Sequence, residues 1–428
     1  MSVIPKSSVS WITLTPEDVQ QAREVIRNLG GDSTVDSIGL GLPFEVISDI
    51  FFPGTSTLHT RIRYQIFVSG ILYKMIIDST SKSKKIKDPK YLLDKYELQL
   101  QDILLKNDPD GGVIGKKSRE NLKYWPSIIY WGGINTLKFF NESGVSKEDL
   151  YKEILGQGNN TVINDDGEVE GDVKSVFNFD HQFANIVLNL FDDDTFKENT
   201  NFELTKEEAL FYLSKFKNVS VGEDTLMNEW INSSYKKIRV YSDFNQIEPT
   251  GNKKVDTLLE QAKNYSKFSM GINHAYRWAL CKEVARRYHD PELKDEWTQH
   301  QLNNQKYFEN WLERNEELKQ WSITQLKFAV KAYDIDDKVD GKLIDMFDTF
   351  KDLWNSGIDS QKFLESFEKT VREQEKHRRG NRSHFIDPTM SIPKLTQGQE
   401  SDYLFDFRFS QGFRNARDIL KALEKKGV

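Results

Sequence analysis

A chain of 428 residues exceeds the size at which a single hydrophobic core stops growing, so two or three packed subdomains are expected. Its 38% hydrophobic and 29% charged residues exclude a disordered chain, and its single cysteine, Cys281, excludes an internal disulfide and a cysteine-based metal cluster. A net charge of −7 sets the whole-molecule field against nucleic acid, so any such binding needs a local basic patch.

Along the chain, MSVIPKSSVSW lacks the apolar core of a secretion signal, and the longest apolar stretch, Gln65 to Ile77, is broken by Ser69 and Lys74. No membrane span is therefore expected, and a cytoplasmic protein is. Thr15-Pro16-Glu17-Asp18 starts a first helix, with a capping hydroxyl, a first-turn proline and two acids at the positive end of the dipole; Gly30-Gly31 stops it. Pro43 starts a short helix through Ile50, and Pro53-Gly54 forces a turn. The spacing of Leu58, Ile62, Ile66, Phe67, Ile71, Leu72 and Met75 then predicts a long helix opened by Thr55, Ser56 and Thr57.

The lysine-rich stretch from Ser79 to Lys90 reads as an exposed connector before a helix at Leu92 to Leu105, and DPDGGVIGKKS (Asp108 to Ser118) has the chemistry of a loop. KYWPSIIYWGGINTLKFF (Lys123 to Phe140) is too densely apolar for a surface and is expected in the core. GQGNNTVINDDGEVEGDVK (Gly156 to Lys174) is poor in large apolar residues. It divides the chain into an N-terminal helical subdomain (1–155), an exposed acidic loop (156–175) and a C-terminal helical subdomain (176–428).

In the C-terminal part, Thr205-Lys206-Glu207-Glu208 is a capping box ahead of Leu210, Phe211 and Phe216. The strongest periodicity runs from Val255 to Leu280 and ends in Arg286-Arg287, a core helix or a kinked pair. Helical patterns follow at Trp297 to Asn315, Ser322 to Tyr333, Lys342 to Trp354 and Ser360 to Lys376. ESDYLFDFR (Glu400 to Arg408) is the one place where β structure is a fair alternative, and a last helix starts at Ser410. The expected fold class is all-α or nearly so, in irregular helical subdomains.

The chemistry is sparse. Gly111 to Ser118 looks like a phosphate loop, but only three residues separate Gly111 from Gly115 and Lys117 intervenes before the serine, so it is read as a turn. Asp165, Asp166, Glu170, Asp172 and Lys174 resemble the acid and lysine set of a metal-dependent nuclease, yet lie in a polar stretch without strand patterning; a solvated loop is favoured. The seven histidines show no HExxH and no ligand pair, and Cys281 sits in the most apolar helix, where a buried thiol is the expectation. No catalytic residue, cofactor site or metal site is assigned.

Two clusters remain as contacts for phosphate or a partner. One is Lys376, Arg378, Arg379 and Arg382, in a run that extends past a helix end; its plain alternative is a solvated helix C-terminus. The other is Thr55, Ser56 and Thr57 with Arg61 and Arg63. Cations in the first turns of a helix are disfavoured by up to roughly 1 kcal/mol, so something negative should compensate. Glu45 or Asp49 could do so internally, the favoured reading, and a ligand phosphate or a partner's carboxylate could do so externally.

SWITLTPEDVQQAREVI (Ser10 to Ile26), FFPGTSTLHTRIRYQIFV (Phe51 to Val68), GVIGKKSRENLKYWPSIIYW (Gly112 to Trp131) and LTKEEALFYL (Leu204 to Leu213) together resemble the bacterial domain-of-unknown-function family 6361. VREQEKHRRGNRSHF and FRFSQGFRNARDIL fit its closing pattern more loosely, and Tyr403 to Phe409 departs from it. The resemblance implies a bacterial cytoplasmic protein encoded among antiviral defence genes, and it supplies no catalytic residues. The expectation is a non-enzymatic helical subunit of a phage-defence assembly. Its partner would be a protein of the same operon, of helicase or nuclease class, with DNA or RNA as a further ligand. A stand-alone nucleic-acid-binding protein and a metal-dependent nuclease are the alternatives.

Overall fold

The computed structural model describes residues 37–80, 86–140, 146–155, 181–386 and 401–424. The helix expected from Thr15 and the acidic stretch 156–174, with Asp165, Asp166, Glu170, Asp172 and Lys174, lie outside these residues. Within them the fold is helical apart from one two-stranded hairpin, and no helix is long and apolar enough to cross a membrane.

The first described helix, α1 (Gly41–Phe51), follows the Pro43 signal. The next, α2 (Arg63–Thr80), starts well after the expected cap at Thr55 to Thr57. The intervening residues form turns, with Thr55 N–H bonded to Phe52 O at 3.1 Å and His59 N–H to Ser56 O at 3.0 Å. Gly54 has φ +70°, and the Ser56 N–H goes to the His59 ring, so side chains take the donors that a helix would need.

Asp88 caps α3 (Pro89–Asn107) and accepts from Tyr91 N–H, with proline at the first helical position. The apolar segment near Pro126 forms two short helices, α4 (Pro126–Ile129) and α5 (Trp131–Thr136), and buries Tyr130, Trp131, Ile134, Phe139 and Phe140. After α6 (Lys147–Ile154) and α7 (His181–Leu188) comes the hairpin of β1 (Phe191–Asp192) and β2 (Thr195–Phe196), which no alternation announced. It is held by its cross-strand pair Phe191 and Phe196, with ring centroids 4.4 Å apart.

The capping box at Thr205 opens α8 (Lys206–Lys217), as the sequence predicts, and α9 (Leu226–Ile231) and α10 (Tyr235–Ile238) follow. The strong periodicity resolves into one helix of 35 residues, α11 (Lys253–Arg287). Then come α12 (Pro291–Arg314), α13 (Ile323–Lys331), α14 (Gly341–Asn355) and α15 (Ser360–Arg379). Residues 401–408 contain no strand: Phe407 (φ 47°) and Arg408 (φ 59°) are left-handed and turn the chain into α16 (Phe409–Glu424).

The chain divides into two units, each discontinuous in sequence. Among the described residues, one takes those from 51 to 242 and 408 to 424, and the other those from 37 to 50 and 243 to 407. The first is built around α2, whose Tyr64, Phe67, Ile71 and Leu72 are buried, with Phe139, Phe183, Phe211 and Tyr212 forming an edge-packed aromatic core. Each such ring contributes about 2–3 kcal/mol of transfer free energy. The second is organised along α11, where Phe268, Phe347, Phe350, Trp311 and Trp354 interlock.

Candidate functional site

In the first unit, the segment singled out at Thr55 to Thr57 is bonded almost throughout. Side chains of α16 and the residue before it take its carbonyls: Arg408 donates to Thr55 O at 2.7 Å, Gln411 to Thr57 O at 3.3 Å and Arg414 to Thr60 O at 2.6 Å. Asn415 reaches the buried Thr55 hydroxyl at 3.3 Å. Tyr130 Oη accepts from the N–H groups of Thr60 and Arg61 at 2.8 and 3.0 Å.

His59 lies under this turn. Burial, reinforced by Arg408 and only partly offset by its bond to Ile129, lowers its pKa to about 3, so the ring is neutral. Its Nδ1 accepts from Ser56 N–H at 3.2 Å, which leaves Nε2 protonated to donate to Ile129 O at 3.1 Å.

The two arginines have anionic partners, but not the pair expected. Arg61 Nε lies 3.1 Å from Asp418 Oδ2 on α16, an ion pair without hydrogen-bond alignment. Arg63, the first residue of α2, is buried and meets Glu208 Oε1 with Nη2 at 2.9 Å and Nε at 3.2 Å, while Nη1 donates to Asn201 O at 2.6 Å. Glu208 is also the capping-box acid, its Oε2 accepting from Thr205 N–H at 2.8 Å. The compensation demanded by the helix dipole is thus met from α8 and α16 rather than by Glu45 or Asp49. Within the glycine-rich loop, Lys116 Nζ makes exposed contacts to Pro109 O at 2.9 Å and Asp110 Oδ1 at 3.1 Å.

In the second unit, the Lys376 to Arg382 run keeps open cations. It closes α15 and continues into a tight turn at Gly380 to Arg382. Lys376, His377, Arg378 and Arg382 are exposed, and among the described residues no carboxylate pairs with Lys376, Arg378 or Arg382. Arg379 is different. It donates to Ser37 Oγ at 2.9 Å and Arg382 O at 3.2 Å and sits 3.9 Å from Glu375, fixing the turn. Beneath it, buried Glu375 Oε1 accepts from the His384 backbone at 3.0 Å and faces its Nδ1 at 2.5 Å.

The fold adds cations that the sequence reading passed over. Arg287, at the end of α11, donates to His384 O at 2.8 Å, joining the two helix ends. Glu283 is buried among Arg286, Arg287 and Arg372 at 2.7, 2.9 and 2.9 Å. Burial would raise its carboxyl, but the hydrogen bonds from the three arginines outweigh it and pull the pKa down to about 2. Arg286 remains 73% exposed, so it offers donors beyond its bond to Glu283. The signal that could have found it was the doublet Arg286-Arg287, read only as a helix terminus.

Cys281 is buried, and burial pushes its thiol up to about 12, as suits an unreactive core residue. Among the described residues no group of histidine, cysteine or acidic side chains is arranged to hold a metal ion.

Residues 6–152 match the model of a family of unknown function (DUF6361), and this match supports membership of that family. No curated protein and no solved structure matches the chain.

Proposed function

We propose that this chain is a non-enzymatic helical binding subunit that engages nucleic-acid phosphates through the basic face formed by the ends of α11 and α15. In this reading it works in the bacterial cytoplasm, beside a helicase- or nuclease-class protein of its own operon, in an antiviral assembly. That setting rests on the family resemblance. The observation supporting the phosphate contact is local: Lys376, Arg378 and Arg382 are exposed without carboxylate partners, at the end of the helix whose Arg372 shares Glu283 with the exposed Arg286. Such cations suit phosphate oxygens, which positively charged side chains bind regardless of base sequence. The arginines at Arg61 and Arg63, by contrast, are engaged by Asp418 and Glu208 and are assigned to stability.

Fluorescence anisotropy with a labelled oligonucleotide tests the reading. Wild type is expected to bind, and the triple variant K376A/R378A/R382A to lose at least about tenfold in affinity. Equal affinity in the two would discard this face. Purification from the native operon separates a subunit from a stand-alone binder, since only a subunit retains a neighbouring gene product.

A further inference from the structure

The side chains around the junction of α11 and α15 are not all cations. Arg287, the last residue of α11, donates to His384 O at 2.8 Å. Two residues of backbone span at most about 7 Å, so whatever lies within two positions of either residue starts close to that bond. On the α11 side these include Arg286, which is exposed, and Tyr288, 41% exposed. On the other side they include the exposed Arg382 and Ile386, the latter 45% exposed. Two cations and two apolar side chains thus open to solvent around one hydrogen bond.

The backbone beneath them is fixed. Glu375 accepts from the His384 N–H at 3.0 Å, Ser383 N–H bonds to Gly380 O at 3.2 Å, and Ile386 N–H to Ser383 O at 3.0 Å. The Phe385 ring is engaged within the unit, 4.3 Å from the Arg372 guanidinium and edge-on to Tyr276 at 6.1 Å, while its neighbour Ile386 is left to solvent. Tyr288 N–H still bonds to Val284 O at 3.3 Å, continuing the helix ladder. Its ring makes no hydrogen bond or ring contact among the described residues. The nearest acid along the chain, Asp290, is held as the cap of α12, accepting from Leu293 N–H at 3.1 Å.

Lone surface aromatics are common and need no explanation; a free ring set among open cations is a narrower pattern. A duplex turns its phosphates outward and keeps its base faces stacked inside, so it satisfies the cations and leaves the ring uncovered. A single strand offers both groups along one contour, phosphates to the cations and an unstacked base to the ring. We infer that this face takes single-stranded nucleic acid, with phosphates on Lys376, Arg378 and Arg382 and one base stacked on Tyr288 beside Ile386. The inference rests on the phosphate contact proposed above and adds which form of nucleic acid is bound. Stacking of this kind tolerates any base, so no sequence preference accompanies it.

Fluorescence anisotropy of the full chain with three labelled probes of equal length tests it: a single-stranded oligodeoxythymidylate, a blunt duplex, and an abasic strand that keeps the phosphates and lacks the bases. Wild type should bind the thymidylate more tightly than the duplex, and at least about fivefold more tightly than the abasic strand, the smallest effect expected of one stacked base. Tyr288→Ala should lose that margin on the thymidylate and match wild type on the other two probes. Tyr288→Phe, which keeps the ring, should restore it. Tighter binding of the duplex, a Tyr288→Ala variant with wild-type affinity for the thymidylate, or a loss shared equally by all three probes each overturns the inference. The triple variant K376A/R378A/R382A separates the two claims. If it loses affinity on every probe while Tyr288→Ala loses none, stacking is discarded and the phosphate contact stands. If wild type binds no probe, or the triple variant binds as wild type does, both are discarded.

Discussion

Glu97 on α3 is buried, and its carboxylate accepts from the Ser127 N–H at 2.6 Å and contacts the Ser127 hydroxyl at 2.9 Å, at the start of α4. Burial raises its pKa to about 7, with the two Ser127 contacts opposing the shift. The folded chain therefore holds this proton more tightly than the unfolded chain, whose carboxyl has the ordinary value near 4.5. The stability linked to Glu97 is fully present below the unfolded pKa and declines as pH rises to about 7, by about 3 kcal/mol at most. Glu97→Gln keeps an acceptor for the Ser127 N–H and removes the ionisation. Denaturant unfolding at mildly acid and mildly alkaline pH should show the variant gaining on wild type as pH rises. A pH-independent difference would mean that Glu97 does not titrate in this window. Nothing in the sequence marks this glutamate, because its pKa is set by a neighbour thirty positions along the chain.

Elements were more legible than sites. The capping box at Thr205, the proline-started α3 and the periodicity of α11 were readable because each depends on residues close in sequence. The start of α2 was misplaced because His59, Tyr130 and α16 bind the groups around Thr55 to Thr60, and these bonds cross long stretches of chain. The β1–β2 hairpin was missed because two residues per strand leave no alternation to detect. Gly271 gives an element-scale test of packing over propensity. Alanine normally favours a helix interior over glycine by about 1 kcal/mol. Here, however, a Cβ would sit 2.6 Å from the buried ring of Trp311, whose Nε1 is tied to Lys267 O at 3.0 Å. Gly271→Ala should therefore destabilise the chain by about 1–3 kcal/mol in equilibrium unfolding, and a stabilised variant would show that Trp311 moves aside freely.

At the scale of the whole molecule, the all-α class was readable from pattern, but the path of the chain was not. Both units are assembled from separated segments, and the family match covers residues 6–152, so the basic face of the second unit lies beyond it. Half of that face, Lys376 to Arg382, was visible as a run of cations. The other half, Arg286 with the arginine cage around Glu283, is created by the approach of α11 to α15. A chain of net charge −7 that binds a polyanion must do so through such a local concentration. The salt dependence of oligonucleotide binding, compared between wild type and K376E/R378E/R382E, tests this most directly. If these three cations neutralise phosphates, the slope of log affinity against log salt becomes shallower by about 0.7–0.9 for each phosphate left without its cation, and binding weakens irrespective of base sequence. A slope and affinity unchanged by the triple charge reversal would contradict the account.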